Sequence, residues 1–126
     1  MPREIIYTPN APKPPPTFSQ AVKAGGLVFV AGQGPFDPVT GEVVGTTAQE
    51  QLAQSLRNVS AILEAAGTTL GQAVSATLIF ADESDFAAIN DEWVKWFLVD
   101  PPARHVSHLP VRPKGMKLSV ALVAAV

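Results

Sequence analysis

Cysteine is absent from all 126 residues, which excludes disulfides, thiolate nucleophiles and cysteine-ligated metal sites. Charged residues make up only 16% of the chain, whereas about a quarter is usual in a soluble domain. We therefore expect other subunits to cover part of an apolar surface. The net charge is −2 and no run of lysine or arginine occurs, so the basic surface typical of a nucleic-acid-binding protein is missing.

Long apolar segments are also missing. The final apolar run, Leu118–Val126, is far shorter than the roughly 18 residues that a membrane span requires, and it is typical of a buried strand. The N-terminus has no charged region followed by an apolar core, so we expect no signal peptide. These features predict a cytoplasmic protein with no membrane association. The length predicts a single domain covering residues 1–126.

Histidine is scarce, and this limits the catalytic sites that the chain can form. His105 and His108 are the only two histidines, and both fall in one predicted strand. Residues three apart in a strand point to opposite faces, so the two imidazoles cannot ligate one metal ion together. No metal-ligand spacing occurs elsewhere. The sequence therefore predicts no metal site.

Proline, in contrast, is abundant, with twelve residues in the chain. Five of them lie in the segment Pro9–Pro16, which predicts an extended strap without the hydrogen bonds of a β-ladder. Two more, Pro101 and Pro102, stand directly before Ala103 and Arg104. An arginine so early in a strand suits a carboxylate or phosphate ligand, because its planar fork donates two parallel hydrogen bonds. A surface arginine at a strand edge is the alternative, and the local pattern does not decide between them.

Two helices are predicted from caps and apolar periodicity. Thr47 and Glu50 match a capping box, and Gly67 ends the first helix. Its predicted buried face is Leu52, Leu56, Val59, Leu63 and Ala66, and its predicted outward residues are Glu50, Gln54, Arg57 and Glu64. The second helix is predicted to begin at Ser84 or Asp85 and to end at Asp100-Pro101. Its apolar positions are Phe86, Ile89, Trp93, Trp96 and Phe97.

The remaining apolar segments predict strands. These are Glu4–Tyr7, Ser19–Ala24, Leu27–Ala31, Ala73–Ala81, Arg104–Leu109 and Lys117–Ala125. Gly25-Gly26 predicts a hairpin turn, and Gly32-Gln33-Gly34-Pro35 predicts a loop that lacks the third glycine of a nucleotide-binding fingerprint. The order of elements predicts an α+β fold in which two helices cover one face of a mixed sheet.

The polar residues that could surround a ligand of Arg104 indicate the chemistry that we expect. Ser19 and Gln20 near the strap, the glycine loop and Asn90 are candidates to surround a small carboxylate bound by Arg104. Such a set has no strong acid or base. It suits reactions that are already close to spontaneous, where orientation and a placed water suffice.

Short motifs along the chain, from about Ile5 to Val126, together resemble the YjgF/RidA family of reactive intermediate deaminases. They are Phe18-Ser19-Gln20-Ala21, Ala31-Gly32-Gln33 with Pro35, Asp37-Pro38-Val39-Thr40-Gly41-Glu42, Gln54-Ser55-Leu56-Arg57-Asn58-Val59, Leu63-Glu64-Ala65-Ala66-Gly67, Asp85-Phe86 with Asn90, and Pro102-Ala103-Arg104. The resemblance implies a chorismate-mutase-like (bacillary type) fold. It also implies a homotrimer with a central barrel and clefts between subunits.

The resemblance further implies hydrolysis of enamines and imines, such as 2-aminoacrylate and 2-iminobutanoate, to 2-oxoacids and ammonia without a cofactor. The resemblance also implies that Arg104 binds the substrate carboxylate, that Gly32 offers a backbone contact and that Asn90 lines the site. Phe18, Ala31 and Val106 also fall at substrate-binding positions.

Three positions depart from the pattern of active family members. Phe18 replaces a tyrosine, Val106 replaces a frequent cysteine, and Ser119 replaces the glutamate that is thought to position or activate water. Serine can hold a water but cannot act as a carboxylate base. His105, in place of a usual serine, is expected to point away from the pocket, and His108 is either a titrating group or an interface residue.

Three functions therefore stay open. The first is a RidA-like deaminase, of full or weakened activity, in which Arg104 and Ser119 are the catalytic residues. The second is a non-catalytic trimer that binds a small carboxylate as a metabolite sensor or partner protein. The third is the translation-inhibiting endoribonuclease activity attributed to some relatives, against which the net charge of −2 counts.

Overall fold

The computed structural model describes residues 2–126 and places six strands and two α-helices in that range. The strands are β1 (Glu4–Ile6), β2 (Ala21–Ala24), β3 (Leu27–Gln33), β4 (Ala73–Phe80), β5 (Ala103–His108) and β6 (Leu118–Ala125). The helices are α1 (Ala48–Ala65) and α2 (Phe86–Trp96). Short 3₁₀ turns occupy Leu70–Gln72, Glu83–Asp85 and Pro113–Gly115.

All six strands form one mixed sheet in the order β1-β2-β3-β6-β4-β5. The pair β4–β5 is parallel and the other neighbours are antiparallel. Both helices cover the same face of this sheet, where α1 packs on β3 and β6 and against α2. The predicted α+β architecture is thus confirmed.

The first helix begins and ends where the sequence predicts. The Thr47 side chain accepts from the Glu50 backbone N–H, the Glu50 carboxylate accepts from the Thr47 backbone N–H, and the chain leaves the helix at Gly67 with a φ of +90°. The predicted apolar face is buried throughout. The outward placement of Gln54 is wrong, because its side chain is buried and donates to Asn58 Oδ1 at 3.0 Å.

The second helix is shorter than predicted. It ends at Trp96, four residues before Asp100, whose φ of +47° lies in the left-handed region. Asp85 stands at its N-cap position but makes no capping bond with its side chain. The cap lies one turn earlier, where Asp82 accepts from the Ser84 backbone N–H at 2.9 Å.

The first hairpin confirms the glycine turn. Gly25 and Gly26 both have positive φ, +60° and +80°, the combination that a two-residue type I′ turn requires. Strand β3 then continues past its predicted end at Ala31 to Gln33. Its pairing with β6 contains an irregularity between Val30 and Gln33, typical of a β-bulge.

The proline strap is held by one buried side chain, Gln20. The Gln20 Nε2 donates to the carbonyl oxygens of Thr8 and Pro12, both at 3.0 Å, and its Oε1 accepts from the Thr8 backbone N–H at 2.7 Å. Prolines in the strap have no N–H to offer, so its carbonyls need such an outside donor. Gln20 therefore holds the strap in place, and its amide is not available for the ligand role that we expected.

The face of the sheet opposite the helices is open and carries exposed apolar side chains. Phe29 on β3 is 47% exposed and Ile5 on β1 is 52% exposed. Neither helix of the described residues combines the length and apolar character needed to cross a membrane.

Candidate functional site

Arg104 lies at the second residue of β5, on the face of the sheet that the helices cover. It pairs with Ala76, which is buried beneath the helices. The Arg104 Nη1 donates to Asn90 Oδ1 at 2.9 Å. Its guanidinium carbon lies 5.0 Å from the ring centroid of Trp93 and 5.7 Å from that of Phe86. One hydrogen bond to Asn90 and two cation–π contacts with aromatic rings of α2 thus orient the arginine.

Within residues 2–126, no carboxylate pairs with Arg104. Neither of the two salt bridges among the described residues includes it. Partial burial lowers the pKa of the Arg104 guanidinium below its ordinary value, because desolvation disfavours the charged form. Arginine nevertheless stays protonated at neutral pH. An incoming carboxylate would therefore meet a partly desolvated cation that is already oriented.

A pocket of about 300 Å³ lies beside this arginine. Its lining residues are Asn90, Trp93, Val94, Phe97, Pro101, Pro102 and Arg104. The two prolines that precede β5, Pro101 and Pro102, line one side of the pocket. The proline pair noted in the sequence thus lies directly before Arg104 and also shapes the pocket beside it. Val106, two residues further along β5, shares the face of Arg104 and is 43% exposed.

Phe18, Ala31, Gly32 and Ser119 lie elsewhere, around the junction of β3 and β6. A Cβ placed on Gly32 would lie 2.9 Å from the Ser119 Oγ, so a larger residue at position 32 would force the Ser119 hydroxyl to move. Phe18 and Gly32 line a second pocket of about 280 Å³. Phe18 and Ala31 also line a shallower depression beside β2.

The sheet separates these two groups within one chain. Ser119 pairs with Ile79 of β4, whereas Arg104 pairs with Ala76 of the same strand, three residues away. Because side chains alternate between faces, Arg104 and Ser119 point to opposite sides of the sheet. The expectation that the glycine loop and Arg104 surround the same ligand is therefore wrong for a single copy of the chain. Of the polar residues predicted to surround Arg104, only Asn90 contacts it.

A polar row on α1 supports the Gly32 group and was missed in the sequence. Asn58 Nδ2 donates to the carbonyls of Gly34 at 3.1 Å and Phe36 at 2.9 Å. Gln51 Oε1 accepts from the Lys117 backbone N–H at 2.9 Å, just before β6 begins. The spacing of Gln51, Gln54 and Asn58, three and then four residues apart, places them on one helical face and could have revealed this row.

The two histidines lie outside both groups. His105 pairs with Thr77, on the face opposite that of Arg104, and His108 pairs with Phe80. The two therefore point to opposite faces, as the sequence predicts. Residues 2–126 hold no group of three or more histidine, aspartate, glutamate or cysteine side chains arranged for a metal ion.

Comparisons with known proteins match almost the whole chain. The family model described as Endoribonuclease L-PSP matches residues 8–126. A RutC family protein of Pyrococcus horikoshii is 41% identical over 122 residues, which cover 97% of each chain. A 2-iminobutanoate/2-iminopropanoate deaminase of Capra hircus is 35% identical over 97% of this chain and 89% of its own length. The crystal structure of the Escherichia coli YjgF product superimposes with a TM-score of 0.91 at 35% identity, covering 97% of this chain and 98% of that one.

Proposed function

The chain belongs to the Endoribonuclease L-PSP family, which includes the YjgF/RidA proteins, and from this premise we propose that it hydrolyses small 2-imino acids and enamines in the cytoplasm. The products would be a 2-oxoacid and ammonia. One observation carries the proposal: Arg104, which pairs with no carboxylate in the described part of the chain, contacts Asn90 and Trp93 at the edge of a pocket.

In this reaction Arg104 binds the substrate carboxylate and so fixes the position of the neighbouring C=N carbon. A carboxylate paired with a desolvated guanidinium gains about 1.5–3 kcal/mol from each charge-assisted hydrogen bond. Water adds across the C=N bond, so that its oxygen bonds to carbon and one of its protons goes to nitrogen. The proton of the new hydroxyl then passes to nitrogen as the C–N bond breaks and the C=O bond forms, and ammonia leaves. An enamine first takes a proton on carbon and loses one from nitrogen, and so becomes the imine.

Ser119 is the residue that we assign to hold this water. Its hydroxyl lies beside the Gly32 backbone, where it can orient a water by hydrogen bonding. It has no negative charge with which to withdraw a proton at neutral pH. Catalysis would then rest on orientation, and we expect a slower reaction than a carboxylate at this position would support.

We propose that the two groups meet between copies of the chain in a homotrimer. Arg104 and Asn90 of one copy would face Phe18, Gly32 and Ser119 of a neighbour. Two features support this assembly. Strand β5 is at an edge of the sheet with exposed side chains such as Val106, and the open face carries Phe29 and Ile5.

A non-catalytic carboxylate-binding trimer is the second candidate, and Ser119 and Phe18 favour it. Both positions lack the polar group that active relatives are expected to use, while the arginine is retained. Such a protein would bind a 2-oxoacid saturably without accelerating imine hydrolysis.

One experiment separates the two candidates. 2-Iminobutanoate is generated in situ and its decay is followed with wild type, Arg104→Ala and Ser119→Glu. Activity in wild type that Arg104→Ala abolishes supports the deaminase. Activity that appears only with Ser119→Glu supports the binding protein. Unchanged affinity of Arg104→Ala for 2-oxobutanoate would exclude both.

A further inference from the structure

We propose that the Phe18–Gly32 group opens into a preformed apolar pocket that selects 2-imino acids with bulky apolar side chains over the two-carbon side chain of 2-iminobutanoate. This inference rests on the proposed function. The pocket, called here the proline pocket, is the space of about 280 Å³ that Gly32 and Phe18 share with the strap. Its other lining residues are Pro12, Lys13, Pro14, Pro15, Gln20, Gln33, Gly34, Phe36 and Pro113.

The walls of the proline pocket are apolar and already shaped. The lining includes three prolines of the strap and Phe36, and proline has a fixed φ that leaves the backbone little freedom. Gln20 ties the strap to β2 through its amide. A pocket that exists before the ligand arrives loses little conformational entropy on binding, so its shape can discriminate between ligands.

The amide NH2 groups of Gln20 and Gln33, which line the proline pocket, both donate to backbone carbonyls of the protein. The Gln20 amide bonds to strap backbone groups, and Gln33 Nε2 donates to the Ala31 carbonyl at 3.1 Å. An apolar side chain in the pocket therefore leaves these groups satisfied, whereas a polar one finds few partners. Lys13 is the one charged residue in the lining, and its side chain is exposed at the rim.

The space available exceeds what a very small ligand fills. A neighbouring pocket of about 340 Å³ shares Pro12, Lys13, Phe36 and Pro113 with the proline pocket, so the two pockets are adjacent. With the carboxylate on Arg104 of a neighbouring copy and the C=N group beside Gly32, the side chain of the ligand would extend into the proline pocket. Each methylene that is buried there strengthens binding roughly fourfold.

Binding of stable 2-oxoacids tests the preference directly. Calorimetric titrations of the wild-type protein compare 4-methyl-2-oxopentanoate and 3-phenyl-2-oxopropanoate with 2-oxobutanoate and 2-oxoglutarate. Since 4-methyl-2-oxopentanoate has two more carbons than 2-oxobutanoate, we expect it to bind at least about tenfold more tightly. Equal or weaker binding of the bulky acids overturns the proposal. Tightest binding of 2-oxoglutarate also overturns it, because Lys13 would then define an acidic-substrate pocket.

Variants locate the preference in the proline pocket. Pro15→Trp introduces an indole at the lining of the pocket and, by narrowing it, should reduce the ratio of the two affinities to about threefold or less. Pro16→Trp, at a neighbouring strap residue outside the lining, is the matched control and should keep the wild-type ratio. Phe36→Leu, which trims one wall, is the second test should Pro15→Trp fail to fold. A ratio that none of these folded variants changes would contradict the assignment.

The two proposals fail in different ways. If Arg104→Ala abolishes binding of every 2-oxoacid while the bulky acids show no advantage in wild type, the carboxylate site stands and the proline pocket assignment is wrong. If wild type binds the bulky acids preferentially but accelerates no imine decay, the pocket stands and the deaminase is replaced by the binding protein. Binding that is independent of Arg104 removes the proposed function itself.

Discussion

Asn90 and Arg104 are joined by a single hydrogen bond of 2.9 Å across fourteen residues of chain, from Nη1 to Oδ1. Asn90 lies on α2 and Arg104 on β5, so this bond links helix and edge strand at the candidate carboxylate site. Its direction matters, because an amide oxygen orients the guanidinium without neutralising its charge.

Removing the hydrogen bond between Asn90 and Arg104 should weaken carboxylate binding. We expect Asn90→Ala to raise the dissociation constant of 2-oxobutanoate about tenfold, or about 1.4 kcal/mol, because the arginine must then be ordered by the ligand itself. Asn90→Asp should weaken it more, since the new carboxylate competes for the guanidinium. Asp91→Ala, an exposed neighbour, is the control. Tighter binding by Asn90→Asp in calorimetry would contradict this role.

Trp93 should report ligand binding through its fluorescence. Its ring lies against the Arg104 guanidinium, whereas the indole N–H of Trp96 bonds to Glu92 at 2.9 Å. These two are the only tryptophans in the sequence. We expect 2-oxobutanoate to change the emission of wild type and of Trp96→Phe but not of Trp93→Phe. A signal that is lost in Trp96→Phe instead would show that Trp93 does not sense the site.

The same stacking predicts a graded effect of substitutions at Trp93. Trp93→Phe keeps a ring over the guanidinium, whereas Trp93→Leu removes it. Cation–π contacts contribute about 0.5–2 kcal/mol, so Trp93→Leu should bind 2-oxobutanoate several-fold more weakly than Trp93→Phe. Equal affinities for the two variants, with equal thermal stability, would show that the Trp93 ring makes no cation–π contribution to ligand binding.

The capping box of α1 should make stability depend on pH in the acidic range. Backbone N–H groups of Thr47 and Thr46 hold the pKa of the Glu50 carboxyl below its ordinary value. A depressed folded-state pKa means that the contribution is complete above the unfolded pKa, about 4.3, and is lost as the pH falls through the folded value. Glu50→Gln should therefore lose less stability than wild type on acidification.

Urea unfolding at neutral and acidic pH measures this difference. Glu64→Gln, on an exposed position of the same helix, controls for the general effect of a lost charge. Thr47→Ala removes the other half of the box and should cost about 1 kcal/mol at neutral pH. Identical pH dependence of wild type and Glu50→Gln would show that the box does not stabilise the folded chain through this carboxylate.

Ser55 presents the opposite case, a polar group without a partner. Its hydroxyl is buried in α1 and makes no hydrogen bond among the described residues. A buried unsatisfied hydroxyl costs about 1–3 kcal/mol, so Ser55→Ala should leave stability unchanged or raise it by about 1 kcal/mol. Ser60→Ala, less buried on the same helix, is the comparison. A loss of more than about 1 kcal/mol in urea unfolding would mean that the hydroxyl has a partner in solution.

Local features of this protein were determined by the sequence alone. The Thr47–Glu50 box and the Gly25-Gly26 turn depend on backbone geometry within a few residues, and both were predicted correctly. The suitability of Arg104 for an anionic ligand is also local, because it depends on the shape and charge of the guanidinium, but its role in binding stays a prediction.

The tertiary structure decided where these groups lie relative to one another. Gln54 and Gln20 point inward because loop and strap carbonyls, distant in sequence, need donors that only the folded chain brings near. Arg104 and Ser119 lie on opposite faces because the pairing of β5 and β6 with β4 sets the parity of each residue. Sheet register is a property of the whole chain, and it explains why one copy holds the parts of the candidate site separately.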